Sequence, residues 1–85
     1  MTELTTLYTI VEQSFDALKQ QLVGKDETVI EESVEDWAET LADDPQVANL
    51  LARLSRSMGT VALVNYADIV FKIVHKAYPR LNVTV

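Results

Sequence analysis

The sequence contains no cysteine, two glycines, two prolines and a single histidine among its 85 residues. Without cysteine the chain has no disulfide framework, no thiolate zinc site and no cysteine nucleophile. Two glycines and two prolines supply too few turns for an all-β fold. Residues 1–25 lack the basic start and the uninterrupted apolar run of a secretory signal peptide, so we expect a cytoplasmic location.

The length and composition predict one small folded unit. We expect residues 1–85 to form a single helical domain, because the chain is too short for two. Hydrophobic residues make up 48% of the sequence, which is near the average for globular proteins and argues against disorder. A domain of this size has a limited core, so a partner that adds buried surface would stabilise it.

Hydrophobic periodicity predicts an all-α fold, a small bundle of four helices. In the first three segments, apolar residues recur on one face at the helical period. Asp26, Asp44 and Pro45 are typical of helix starts, and Gly24 is typical of the position after a helix. The predicted helices span residues 3–23, 27–42, 45–57 and 60–78, followed by an extended C-terminal tail.

The fourth segment is the most apolar part of the chain and reads GTVALVNYADIVFKIVHKAY. On a helical wheel its polar residues gather into one stripe of about 100°, which includes Asp68 and Lys72 in the favourable i,i+4 order. A membrane-spanning helix would place both charges near its centre at a cost of about 2.5–3.5 kcal/mol each. We therefore expect no membrane span but a water-soluble helix that neighbours cover on most sides.

The junction between the third and fourth segments permits two interpretations. The apolar faces of the two segments point roughly 140° apart on one continuous wheel. A break near residues 57–60, with Gly59 in the turn, lets both faces reach one core. A kinked continuous helix is the alternative, and it would suit an intertwined dimer.

Charge is divided unevenly along the chain, whose formal net charge is −6. Residues 26–52 carry nine acids and no base, whereas residues 53–85 carry five bases and one acid. The net charge disfavours direct binding to nucleic acid. Arg53 and Arg56 lie at i,i+3, and we hypothesise that they pair with acids of the second helix, within one chain or across two.

The second predicted helix carries an acidic face opposite its apolar face. Acids spaced at i,i+4 repel one another by a few tenths of a kcal/mol per pair in an isolated helix. Two interpretations account for this pattern. The acids form either a solvated face that keeps the protein in solution or a recognition surface for a basic protein. The candidate partner surface comprises Glu31, Glu32, Glu35, Asp36 and Glu39.

The fourth predicted helix has more apolar surface than three short neighbours can cover. An exposed apolar patch of this kind usually marks an interface, so we expect a symmetric homodimer with the fourth helix or the C-terminal tail at its seam. The candidate dimer seam comprises Leu63, Tyr66, Ile69, Val70 and Ile73.

No residue pattern indicates catalysis, a cofactor or a metal site. His75 has no carboxylate within reach on its own helix, since Asp68 lies two turns away, so we expect an exposed and solvated side chain. The acids of the second helix face outward, and the Glu-x-x-His pairs of a di-metal bundle are absent from the sequence. We therefore expect no enzyme activity.

The sequence favours a non-catalytic protein-interaction or regulatory module, acting as a homodimer on a basic protein partner. The alternative is an acidic inhibitor of a nucleic-acid-binding protein or toxin, such as an antitoxin, an immunity-type protein or a DNA mimic. In that case the carboxylates of the second helix would stand in for phosphates. An enzyme or metal protein would instead need a deep pocket lined by acids or by His75.

Overall fold

The computed structural model describes residues 2–81, and all regular structure in this part of the chain is helical. The four helices are α1 (Thr2–Gln21), α2 (Glu27–Asp43), α3 (Pro45–Met58) and α4 (Val61–Ala77). The predicted all-α bundle is confirmed, and every predicted boundary lies within two residues of the observed one. Residues 82–85 of the predicted C-terminal tail lie outside the described residues.

Local capping explains why α2 and α3 begin where they do. The Asp26 carboxylate accepts a hydrogen bond from the Val29 N–H at 2.9 Å and so satisfies a free donor in the first turn of α2. Asp44 alone separates α2 from α3, and its carboxylate accepts from the Gln46 N–H at 3.0 Å. Pro45 follows at the first helical position, where its missing N–H costs nothing.

A turn at Gly59 separates α3 from α4. This confirms the interpretation with two helices, and the alternative of a kinked continuous helix is wrong. Gly59 has a φ of 64° and a ψ of −142°, a conformation that residues with a side chain rarely adopt. Its N–H donates to the Ser55 carbonyl at 2.8 Å and closes the last turn of α3. Thr60 follows and precedes α4 without a side-chain cap.

The four helices pack around one core. Helices α1, α3 and α4 contact one another, and α2 packs along α3. Helices α1 and α4 run in the same direction. Tyr8 of α1 lines a groove with Ile69 of α4. Further along both helices, Lys19 of α1 lines the continuation of this groove with Lys76 of α4. The largest fully buried side chains are Phe15, Leu7, Leu54, Val11, Val34, Val47, Val70 and Val74.

Helix α4 packs against the other helices on one side and is exposed to solvent on the other. Its outward side carries the predicted i,i+4 ion pair, with Lys72 Nζ 2.9 Å from Asp68 Oδ2. After α4 the chain turns at Pro79, and Leu81 is only 3% exposed. None of the helices in the described part of the chain is both long enough and apolar enough to cross a membrane.

Candidate interaction surfaces

The acidic face of α2 points away from the core. Val34, Ala38 and Leu41 are buried on the inner side of the helix, so the acids between them turn outward. Of the five residues in the predicted partner surface, Glu31 is half-buried and the other four are exposed. We call the exposed set, Glu32, Glu35, Asp36 and Glu39, the acidic face.

The described cations of the chain do not neutralise the acidic face. Among residues 2–81 the one ion pair is that between Lys72 and Asp68 on α4. Arg53 and Arg56 are exposed on α3 without a carboxylate within ion-pair distance among these residues. The hypothesis that these arginines pair with α2 within one chain is therefore wrong, and pairing across two chains stays a prediction.

Hydrogen bonds link α2 to two other helices. The Trp37 Nε1–H donates to Ser14 Oγ of α1 at 2.7 Å. The Tyr66 hydroxyl of α4 donates to the Ala38 carbonyl at 3.1 Å. Trp37 also packs against Phe15, with ring centroids 5.3 Å apart and ring planes tilted by 57°. The acidic face thus lies on a helix that is hydrogen-bonded to both α1 and α4.

Burial of the Tyr66 side chain affects its ionisation. Desolvation raises the pKa of Tyr66 from 10.0 to about 12, because a phenolate would lose its hydration. The hydroxyl therefore remains protonated at neutral pH and continues to donate to α2.

A shallow groove runs beside the acidic face, between α1 and α2. It has a volume of about 460 Å³, and Asp36 belongs both to its edge and to the acidic face. The half-buried Trp37 indole lines the groove together with hydroxyl groups of Ser14, Ser33 and Thr40. Sequence periodicity assigned Trp37 to the apolar face and gave no sign of the groove, which exists only where α1 meets α2.

The predicted dimer seam requires a correction. Tyr66, Ile69, Val70 and Ile73 are buried in the core of a single chain, since this side of α4 packs on the other helices. These four side chains cannot meet a second chain unless the core opens. Leu63, the fifth member, is 58% exposed.

Helix α4 does expose apolar side chains, but on a different side from the predicted one. Val61, Val64 and Phe71 are 51%, 66% and 44% exposed, respectively. Together with Leu63 they form the largest group of exposed hydrophobic residues on one described helix. The prediction that neighbours cannot cover all of α4 is confirmed, whereas the homodimer itself stays a prediction.

The surroundings of His75 also differ from the prediction of an exposed, solvated side chain. The imidazole is half-buried and stacks on the Phe71 ring, with centroids 4.1 Å apart and planes 23° apart. Its Nε2 is buried and has no hydrogen-bond partner among the described residues. No group of three side chains in residues 2–81 is arranged to hold a metal ion.

Comparison with protein-family models, with curated proteins and with solved structures found no match for this chain.

Proposed function

We propose that this protein is a non-catalytic interaction module that binds a basic protein through the acidic face of α2. The observation that supports the proposal most is the exposure of four carboxylates on one helix, none of which pairs with a described cation of the chain. A regulatory role would follow from occupying the basic surface of that partner. The cytoplasmic location expected from the sequence belongs to the same proposal.

The energetics of the acidic face favour a cationic partner. Acids at i,i+4 along α2 repel one another by a few tenths of a kcal/mol per pair, and bound cations remove this repulsion. A single exposed ion pair contributes under about 1 kcal/mol, so affinity requires several pairs together. Binding of this kind is fast and weakens as salt screens the charges.

The groove between α1 and α2 supplies a place for a lysine or arginine of the partner. The carboxylate of Asp36 lies on the groove edge, and the Trp37 indole lines the groove. A long basic side chain can lay its apolar stem and its charge against an indole while the charged end meets a carboxylate. The groove therefore adds apolar contact to what would otherwise be a purely electrostatic surface.

A capture experiment with matched variants tests the proposal. The baits are the wild-type protein, the α2 variant Glu32→Gln/Glu35→Gln/Glu39→Gln, and the control variant Glu3→Gln/Glu12→Gln/Asp16→Asn. Both variants remove three exposed acids, so they have the same net charge, but the control changes only α1. The lysate comes from the organism that encodes the chain.

We expect the wild type and the control to retain the same basic protein, and the α2 variant to lose it. Moderate salt should elute the retained protein, because screening weakens the contact. Capture that is equal for all three baits, or capture of no basic protein, would contradict the proposal. If the captured protein binds nucleic acid and the wild-type chain displaces that nucleic acid, the chain acts as an acidic inhibitor.

A further inference from the structure

The groove between α1 and α2 carries its charge on one wall. The α2 wall contains Asp36 and, at the end of the helix, Asp44, and both are exposed. The α1 wall contains Ser14 and Leu18, which are uncharged. Among the described residues no lysine or arginine lines the groove. An occupant that complements this charge is therefore basic along one flank and needs no charge along the other.

The groove also offers apolar surface beside these carboxylates. Leu41 is buried, and Leu18 and Trp37 are half-buried. The Trp37 indole donates to Ser14 Oγ at 2.7 Å and contacts the Phe15 ring, with centroids 5.3 Å apart. Because this surface forms within the single chain, an occupant gains apolar contact without first ordering it. The groove thus fits a segment that presents apolar side chains next to basic ones.

The groove follows one face of α2 over three turns. Its α2 wall is built from positions 33, 36, 37, 40, 41 and 44, which have the spacing of a single helix face. Ser33 and Asp44 are thus about 16 Å apart along the helix axis, at a rise of about 5.4 Å per turn. Asp36 and Asp44 are about two turns apart, so basic residues two turns apart on a neighbouring helix would meet both carboxylates.

The groove provides little for the backbone of an extended segment. All regular structure in residues 2–81 is helical, so this part of the chain has no strand edge to which such a segment could add. The Trp37 N–H, which could serve a backbone carbonyl, already donates to Ser14 Oγ. A helix satisfies its own N–H and C=O groups, so its burial in the groove leaves fewer backbone groups without a partner.

We propose that the basic partner presents an amphipathic helix to this groove. Apolar side chains of that helix pack on Leu18 and Trp37, and basic residues two turns apart on its flank pair with Asp36 and Asp44. A helix of about three turns matches the length of the groove. This inference rests on the proposed function and adds the form in which the partner binds.

The acidic face continues the charged wall away from the groove. Glu32 and Glu39 lie one turn before and one turn after Asp36 on α2. Basic residues on the outer flank of the bound helix therefore meet further carboxylates. Exposed ion pairs are weak singly, so the affinity depends on several pairs together with the apolar contact in the groove.

The fluorescence of Trp37 reports on the groove, because the chain contains one tryptophan. The probe is a synthetic peptide of lysine and leucine with leucines at i, i+3, i+4 and i+7, the pattern of an amphipathic helix. The control peptide has the same sequence but two central D-residues, which disfavour a right-handed helix without changing charge or composition. We expect the helical peptide to shift the emission of Trp37 and to bind about tenfold more tightly than the control peptide.

Paired variants of the protein locate the bound peptide. Thr40→Lys puts a cation in the groove, where it repels a basic helix, and should weaken binding of the helical peptide by about tenfold. Thr9→Lys makes the same charge change at an exposed position of α1 outside the groove and should bind like the wild type. The variant Glu32→Gln/Glu35→Gln/Glu39→Gln should bind both peptides more weakly. Circular dichroism confirms that each variant keeps its helices.

Equal binding of the two peptides, or an equal loss of binding in Thr40→Lys and Thr9→Lys, would overturn the inference. If that binding still requires Glu32, Glu35 and Glu39, the proposed function stands and only the form of the partner is wrong. Absence of binding by both peptides up to about 1 mM would also overturn the inference, and the capture experiment then decides the proposed function by itself.

Discussion

The Trp37 indole donates a hydrogen bond to Ser14 Oγ over 2.7 Å and thereby joins α2 to α1. This bond lies directly beside Asp36, which belongs to both the acidic face and the groove. Because indole N–H groups are donors only, Ser14 is the acceptor that lets Trp37 sit half-buried at this junction. The surface that we propose for a basic partner is thus built on a specific contact between two helices.

Ser14→Ala should lower the free energy of unfolding by about 0.5–1.5 kcal/mol, because the Trp37 N–H loses its partner in a partly buried site. Urea unfolding followed by tryptophan fluorescence measures the change. Ser33→Ala, on the same groove, should change stability by less than about 0.5 kcal/mol, since Ser33 has no side-chain hydrogen bond to another described residue. Equal effects of the two substitutions would contradict this role of Ser14.

Phe15→Ala should lower the free energy of unfolding by about 3–5 kcal/mol and leave much of the protein unfolded. Phe15 is fully buried and packs against the rings of Trp37 and Tyr78, at centroid distances of 5.3 and 6.1 Å. Near-ultraviolet circular dichroism should show the loss of aromatic packing. Tyr8→Ala, at an exposed ring of the same helix, is the control and should cost far less.

The helix boundaries could be predicted from the sequence because the signals that set them are local. Asp26 and Asp44 cap helices through bonds to residues two or three positions ahead. The turn at Gly59 depends on the φ angle of one residue. Such features act within one turn of chain and need no knowledge of the fold.

The surfaces were harder to predict, because they depend on which helix covers which side. On a wheel of α4, Ile69 and Phe71 are equally apolar, yet the first is buried and the second is 44% exposed. Periodicity also does not show that Arg56 has no carboxylate of α2 within ion-pair distance among the described residues. These relationships arise from the packing of helices distant in sequence, which no local pattern contains.

Raising the pH should destabilise the protein through Tyr66. Burial raises the pKa of Tyr66 from 10.0 to about 12, so the folded state holds this proton more tightly than the unfolded state. The associated stability is present below about pH 10 and is lost as pH rises towards 12, by up to about 1.4 kcal/mol per pH unit. Urea unfolding from about pH 8 to 11.5 measures this loss.

The variant Tyr66→Phe isolates the contribution of this hydroxyl. It should be less stable than the wild type at pH 8 by about 0.5–1.5 kcal/mol, because the bond to the Ala38 carbonyl is absent. The difference should shrink above about pH 10, where the wild type loses the benefit of its proton. A difference that stays constant over this range would contradict the assignment.

Gly59→Ala should lower the free energy of unfolding by about 1–3 kcal/mol, since alanine is strained at a φ of 64° and a ψ of −142°. An added Cβ would meet no atom within 4 Å, so backbone strain is the whole cause. Thermal unfolding measures the effect, and Thr60→Ala at the next position should change little. A synthetic chain with D-alanine at position 59 should be at least as stable as the wild type, and a D-alanine chain as unstable as the L-alanine variant would exclude backbone strain.

The central claim is that the described cations of the chain leave the acidic face unneutralised. The dependence of stability on salt concentration tests this claim most directly. The measurement is the free energy of unfolding of the wild type and of Glu32→Gln/Glu35→Gln/Glu39→Gln, from about 0.05 to 0.5 M NaCl. Salt screens the repulsion along α2, so the wild type should gain more stability than the variant as salt rises. A wild type that loses more stability than the variant would show that cations pair with these carboxylates and would contradict the account.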